Sequence, residues 1–125
     1  MNKNDNVSTA SRYDWQDIEA DHPIERAARQ RIIGERMMVS RFVLEPGFHV
    51  DSHAHDNEQI SIVLEGRLRF AIGEAGTDGH REETLVSGQT MCIPPNVPHG
   101  ATALERTTVL DLFSPPSQKT GVDRA

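Results

Sequence analysis

The chain has 125 residues, with 13 basic against 19 acidic side chains, a net charge of -6 and a single cysteine. That length suits one compact domain, and an acidic balance without any Lys/Arg cluster excludes a nucleic-acid partner that would have to be held by its phosphates. Cys92 has no second thiol to pair with, the start Met1-Asn2-Lys3-Asn4 has no apolar signal run, and no stretch nears the ~18 apolar residues of a membrane span, so a cytoplasmic protein with no membrane partner is expected.

In chain order, residues 1–11 are polar and rich in Asn and Ser and read as a flexible N-terminal tail. Residues 12–113 form the folded domain, and residues 114–125, with two prolines followed by polar residues, read as a flexible C-terminal tail. Strands are expected at 24–33, 36–45, 48–54, 59–64, 67–73, 82–86, 90–94, 98–103 and 106–113, each bounded by turn chemistry. The composition of 24–33 also fits a helix. Gly34, Glu45-Pro46-Gly47, Glu65-Gly66, the glycines from Gly73 to Gly79, Gly88 and Pro94-Pro95-Asn96 supply the breaks. Many short strands at this spacing give an all-β sandwich or barrel. The segment from Tyr13 to Ile18 is a candidate for exchange with a partner subunit.

The chemistry concentrates in His53-Ala54-His55, with Gln59 four residues on and His99 after Pro94-Pro95-Asn96-Val97-Pro98. Residues i and i+2 of a strand share a face about 6.5–7 Å apart, so His53 and His55 can both reach one ion at ~2.0–2.1 Å. The period of two turns Gln59, Ser61 and Val63 inward and Ile60, Ile62 and Leu64 outward, and it leaves Glu58 off register. Three neutral imidazoles and an amide oxygen leave a divalent ion's charge uncompensated, which suits polarisation of a substrate oxygen better than O2 activation.

The spacing from Gly47 through His53, His55 and Gln59 to Gly66, followed by Gly88, Pro94, Asn96 and His99, resembles the two motifs of the cupin superfamily. The resemblance covers residues 36–113 and implies a single-domain double-stranded β-helix, the jelly-roll barrel of small type-2 cupins, with one divalent transition metal (Ni, Zn, Mn or Fe) held by His53, His55, Gln59 and His99. The slot at Gln59 holds Glu in most cupins. Together with Gly34-Glu35-Arg36-Met37-Met38 and Leu110-Asp111-Leu112-Phe113-Ser114-Pro115-Pro116, the glutamine resembles the pectin-degradation cupins. Those relatives open the ring of an unsaturated uronate and tautomerise it to a linear keto acid. The resemblance implies Asp111 as the catalytic proton carrier and Phe113 beside it as a substrate wall. The arginine that these relatives carry after the Ser-Pro-Pro turn is Ser117 here, and Arg69 and Lys119 are the cations available in its place.

Other residues fill in the reading. His49 shares parity with His53 and is a candidate for the substrate mouth, as is Met38, although Met37, Met38 and Met91 also read as core filler. His22 and His80 read as surface residues and Cys92 as a buried small hydrophobe. Asp111, alone in the apolar run Val109–Phe113, needs a partner or a polar cavity. Three functions compete: a metal-dependent isomerase of a sugar acid, an O2-dependent dioxygenase, and a non-catalytic small-molecule-binding module. A homodimer paired through sheet faces is expected.

Overall fold

Residues 9–123 are described by a computed structural model of the chain; the polar start at 1–8 and residues 124–125 lie outside it, and so does that part of both expected tails. The described residues form nine strands: β1 Ala27–Ile33, β2 Met38–Leu44, β3 His49–His53, β4 Glu58–Glu65, β5 Arg67–Ile72, β6 Arg81–Val86, β7 Thr90–Ile93, β8 His99–Ala103 and β9 Thr107–Ser114. Each lies where alternation and turn residues predict one, with ends displaced by three residues at most. The ambiguity at 24–33 resolves to strand, because Ala27–Ile33 pair residue for residue with Leu44–Met38.

The strands form two antiparallel sheets, ordered β1-β2-β9-β4-β7 and β3-β8-β5-β6. Inward residues alternate with outward ones, most cleanly in β2, where Met38, Ser40, Phe42 and Leu44 are buried. Phe42, Leu44, Val63 and Val109 of the first sheet meet Leu68, Phe70, Leu85 and Ala103 of the second, which makes the apolar centre of the sandwich. Each such side chain contributes roughly 1.5–3 kcal/mol on burial. Toward one end the same inward rows turn polar: Ser40, Gln59, Ser61 and His99 are all buried. Buried polar groups are costly unless partnered, so this end is where function is to be sought.

Between β4 and β5, Gly66 lies at a φ of +100° with the Arg106 carbonyl and Thr107 packed against the place of a side chain. Only glycine fits that turn. Thr107, fully buried beside it, accepts from the Arg67 N–H at 3.1 Å.

Both flanks are more ordered than their composition suggests. Gln30 donates to the carbonyls of Trp15 and Ile18, both at 2.7 Å, which ties the N-terminal segment to its own β1. The tail expected from residue 114 is a correction: Ser114 ends β9, Asn57 donates to the Pro115 carbonyl, Thr120 is buried and Asp123 pairs with the buried Arg29. Prolines and polar residues by themselves predict a solvated segment. Here, however, the polar groups find partners on the barrel, and Val122 packs on its core. Among the described residues no helix is long and apolar enough to cross a membrane.

Candidate metal centre

His53 closes β3 and His99 opens β8, directly opposite each other in the pairing. His55 follows on the loop to β4, and Gln59 lies on β4 between Ile93 of β7 and Phe113 of β9. The sheets thereby bring the three histidines together, with one ring nitrogen of each within 4.8 Å of the others. Nitrogens bound to a common ion at ~2.1 Å lie at most about 4.2 Å apart, so small side-chain rotations bring the set into register.

Hydrogen bonds settle which nitrogen is free. Nδ1 of His53 lies 2.9 Å from the Asp51 carbonyl, Nδ1 of His55 3.1 Å from that of Asn57, and Nδ1 of His99 2.9 Å from that of Val97. A carbonyl only accepts, so each Nδ1 carries the hydrogen and each Nε2 keeps a lone pair. This is the backbone-oriented arrangement common among metal-binding histidines. Nε2 of His99 is buried and has no partner among the described residues.

Gln59 is oriented by a chain of bonds running the other way. Ser61 Oγ donates to Asp111 Oδ1 at 2.6 Å, and with its one hydrogen so used it accepts from Gln59 Nε2 at 2.9 Å. The amide oxygen then faces His55 Nε2 at 3.1 Å. An amide oxygen and an unprotonated imidazole nitrogen are both acceptors. Among the described residues nothing donates to either, and a cation between them relieves the conflict. Three convergent lone pairs, the orphaned His99 nitrogen and this acceptor pair fit a divalent ion of the kind that nitrogen and oxygen donors hold.

The electrostatics agree. Burial, reinforced by the neighbouring rings, lowers His99 to about 4, and burial likewise lowers His55. Both imidazoles are thus neutral near pH 7, the form that ligates. Asp111 moves the opposite way: burial raises its carboxyl to about 6, against the opposing pull of the Ser61 hydrogen bond. Its remaining accessible surface opens into the cavity that His53, Gln59, His99 and Phe113 also line.

Phe113 is buried and sits edge-on to His55, with ring centroids 5.8 Å apart. His49 stands at the outer side of the mouth, where it borders the open pocket beside His53. The ladder between β3 and β8 shifts between Val50 and His53, so Val50 lines the inner cavity while the His49 side chain is 58% exposed and pairs with Thr102 and Asp51. Met38 is core rather than cavity wall, fully buried opposite Phe113 and Ile33. Met37 is exposed instead of core. Cys92 is also exposed, because it pairs with the outward Ile60 while its neighbour Ile93 faces in. Arg69, between the inward Leu68 and Phe70, faces out, and Lys119 is exposed, so neither stands at the cavity. Among the described residues the buried cation is Arg29 on β1, which sequence reasoning missed. Its signal was its parity with Ala27.

The Cupin_2 family model, a cupin domain, matches residues 40–113. No curated protein matches significantly. An RmlC-like cupin from Shewanella frigidimarina superposes with a TM-score of 0.77 at 24% identity, over 88% of this chain and 95% of that one. KdgF from Halomonas sp. superposes with a TM-score of 0.79 at 23% identity, over 88% and 97%. An oxalate decarboxylase from Lactobacillus farciminis gives 0.75 at 17% identity, over 90% of this chain and 36% of that larger one. Identities this low establish shared architecture, the cupin jelly roll. The chain belongs to the cupin family.

Proposed function

We propose that this cupin is a metal-dependent isomerase that opens and tautomerises an oxidised sugar, of which an unsaturated uronate is the first candidate. The observation that carries the reading is the pairing on one cavity wall of a charge-neutral donor set with Asp111, whose carboxyl is raised to about 6. In this reading His53, His55, His99 and Gln59 hold one divalent transition metal. The bound ion supplies Lewis acidity, lowering the cost of negative charge on a substrate oxygen.

The chain's own residues do the rest. Ring opening and tautomerisation move a proton from oxygen to carbon without net oxidation, so the protein needs a group that can take and return one. Asp111 has an affinity for protons close to the working pH, where transfer in both directions is efficient. Ser61 keeps one carboxylate oxygen engaged and leaves the other for substrate. Phe113 and the apolar lining exclude water from a carboxylate that water would otherwise return to its ordinary range. The motif likeness to the pectin-degradation cupins supports the choice of uronate.

Turnover of unsaturated galacturonate by metal-loaded protein, followed as loss of ultraviolet absorbance, is the test. Absence of turnover across a panel of unsaturated uronates refutes the reading. Oxygen consumption with the same substrates would instead establish the dioxygenase.

A further inference from the structure

The mouth of the barrel is crossed and narrowed by the chain itself. Segment 120–123 lies across the histidines: Thr120 and Val122 line the inner cavity, and Gly121 lies so close to the His53 ring that a side chain there would overlap its Nε2. With a φ of +105°, Gly121 is where a strand-like segment can cross a ring edge. Inside, about 40 Å³ of free space remains, against the roughly 300–1,000 Å³ of typical ligand sites. Outside lies an open pocket of about 390 Å³, bordered by His49, His53, Gly121 and Asp123. A sugar that is to meet the metal and Asp111 must displace this strap.

What holds the strap down is a carboxylate on an arginine. Arg29, 4% exposed, grips Asp21 with Nε and Nη2 at 3.0 and 2.6 Å and gives Nη1 alone to Asp123 at 2.7 Å. The other Asp123 oxygen accepts from the Thr120 N–H at 3.1 Å. Asp21 already neutralises the guanidinium through a two-point grip, the strongest geometry available to that pair. Asp123 is therefore a second carboxylate on one cation. It stands at the border of the outer pocket, two residues from the glycine that touches His53, which is a separation of at most about 7 Å between their Cα atoms.

We propose that Arg29 is the residue that recognises a substrate carboxylate, and that Asp123 occupies its place until an acidic sugar exchanges with it and lifts the strap. The proposal rests on the oxidised-sugar reading and supplies the carboxylate grip that Ser117 does not. It makes the enzyme self-gating: a neutral sugar has no group with which to compete for Nη1, so the mouth stays closed to it.

The test uses full-length protein loaded with Ni2+ and two unreactive probes, galacturonate and galactose, titrated calorimetrically. In wild type the acid competes against Asp123. In Asp123→Ala the ratio of galacturonate to galactose affinity rises at least tenfold, Asp123→Asn moves the same way, and adding Arg29→Lys to Asp123→Ala removes the gain. Equal gains for both sugars, or an unchanged ratio, overturn the proposal and leave Asp123 a structural latch. Circular dichroism identifies any variant that fails to fold, and Asp123→Ala keeps the Asp21 grip, so one informative variant remains in any case. Turnover of the unsaturated uronate with an unchanged ratio refutes the exchange alone. A raised ratio without turnover refutes the isomerase and keeps the exchange, and binding of neither sugar by any variant refutes the exchange whatever the turnover.

Discussion

Ser61→Ala isolates the part of the site that does not itself touch the ion. Ser61 is fully buried, accepts a hydrogen bond from the Gln59 amide and donates one to Asp111. Alanine leaves the Gln59 NH2 without a partner, at about 1–3 kcal/mol, and deprives a buried carboxylate of a charge-assisted bond of roughly 1.5–3 kcal/mol. Since the lost serine no longer has to be desolvated, we expect a net destabilisation of about 2–3 kcal/mol at pH 8. At pH 5 the loss is smaller, because Asp111, raised to about 6, is protonated there and has less need of a donor. Freed from Ser61, the Gln59 amide can turn its NH2 toward His55, and supporting bonds of this kind are typically worth 10–100-fold in metal affinity. Urea unfolding of metal-free protein at both pH values, with Ni2+ affinity measured by chelator competition, reads each effect. A variant that binds Ni2+ like wild type and loses under 1 kcal/mol at both pH values would refute the assigned amide orientation.

Four further outcomes are expected. Asp111→Asn retains the Ser61 bond and the metal but lowers turnover by about 10²–10⁴-fold, the usual worth of a general acid-base group; normal kcat at unchanged metal content removes Asp111 from proton transfer. In metal-free protein, His99 and His55 are lowered on folding, so their contribution is present above pH 6.5 and lost as pH falls through about 4 for His99. Asp111 is raised, so its contribution is present below pH 3.8 and lost as pH rises through about 6. The two oppose each other between pH 4 and 6, and Asp111→Asn should lose stability on acidification more steeply than wild type; parallel denaturation curves across that window contradict the assignment. Gln59→Glu places a second carboxylate beside Ser61, tightening metal binding while moving the activity profile to higher pH; a profile and affinity like those of wild type would show that the neutral amide is immaterial. Gly66→Ala, forced against the Arg106 carbonyl at positive φ, should cost more than the ~1 kcal/mol on which point-mutation effects centre and lower Tm without altering metal affinity.

The period of two, broken by glycine and proline, was enough to locate all nine strands of the described chain, because alternation and turn chemistry are local properties. The same parity turned Gln59, Ser61 and Val63 inward with Ile60 and Leu64 outward, and the structure shows that arrangement. Motif spacing likewise named the histidines that the sheets bring together. Parity alone does not place Val50 on the inner cavity, where the ladder shifts by a bulge, and hydrophobicity does not imply burial at Cys92, whose strand neighbour takes the inward place.

Composition misjudged the segment after Ser114, whose prolines and polar residues pack on the barrel. Whether such a segment is solvated depends on partners distant in sequence, here Arg29, 94 residues from Asp123. The Ser61 link between Gln59 and Asp111 also needed tertiary structure, since Ser61 and Asp111 face each other only once β4 and β9 pair. The amino-acid order by itself determined the strands, the barrel family and the candidate histidine cluster, since each rests on local spacing. Only the folded chain decided which lone pairs are left facing one another, which carboxyl is kept from water, and what crosses the mouth, because each depends on which distant groups share a volume that solvent cannot fill.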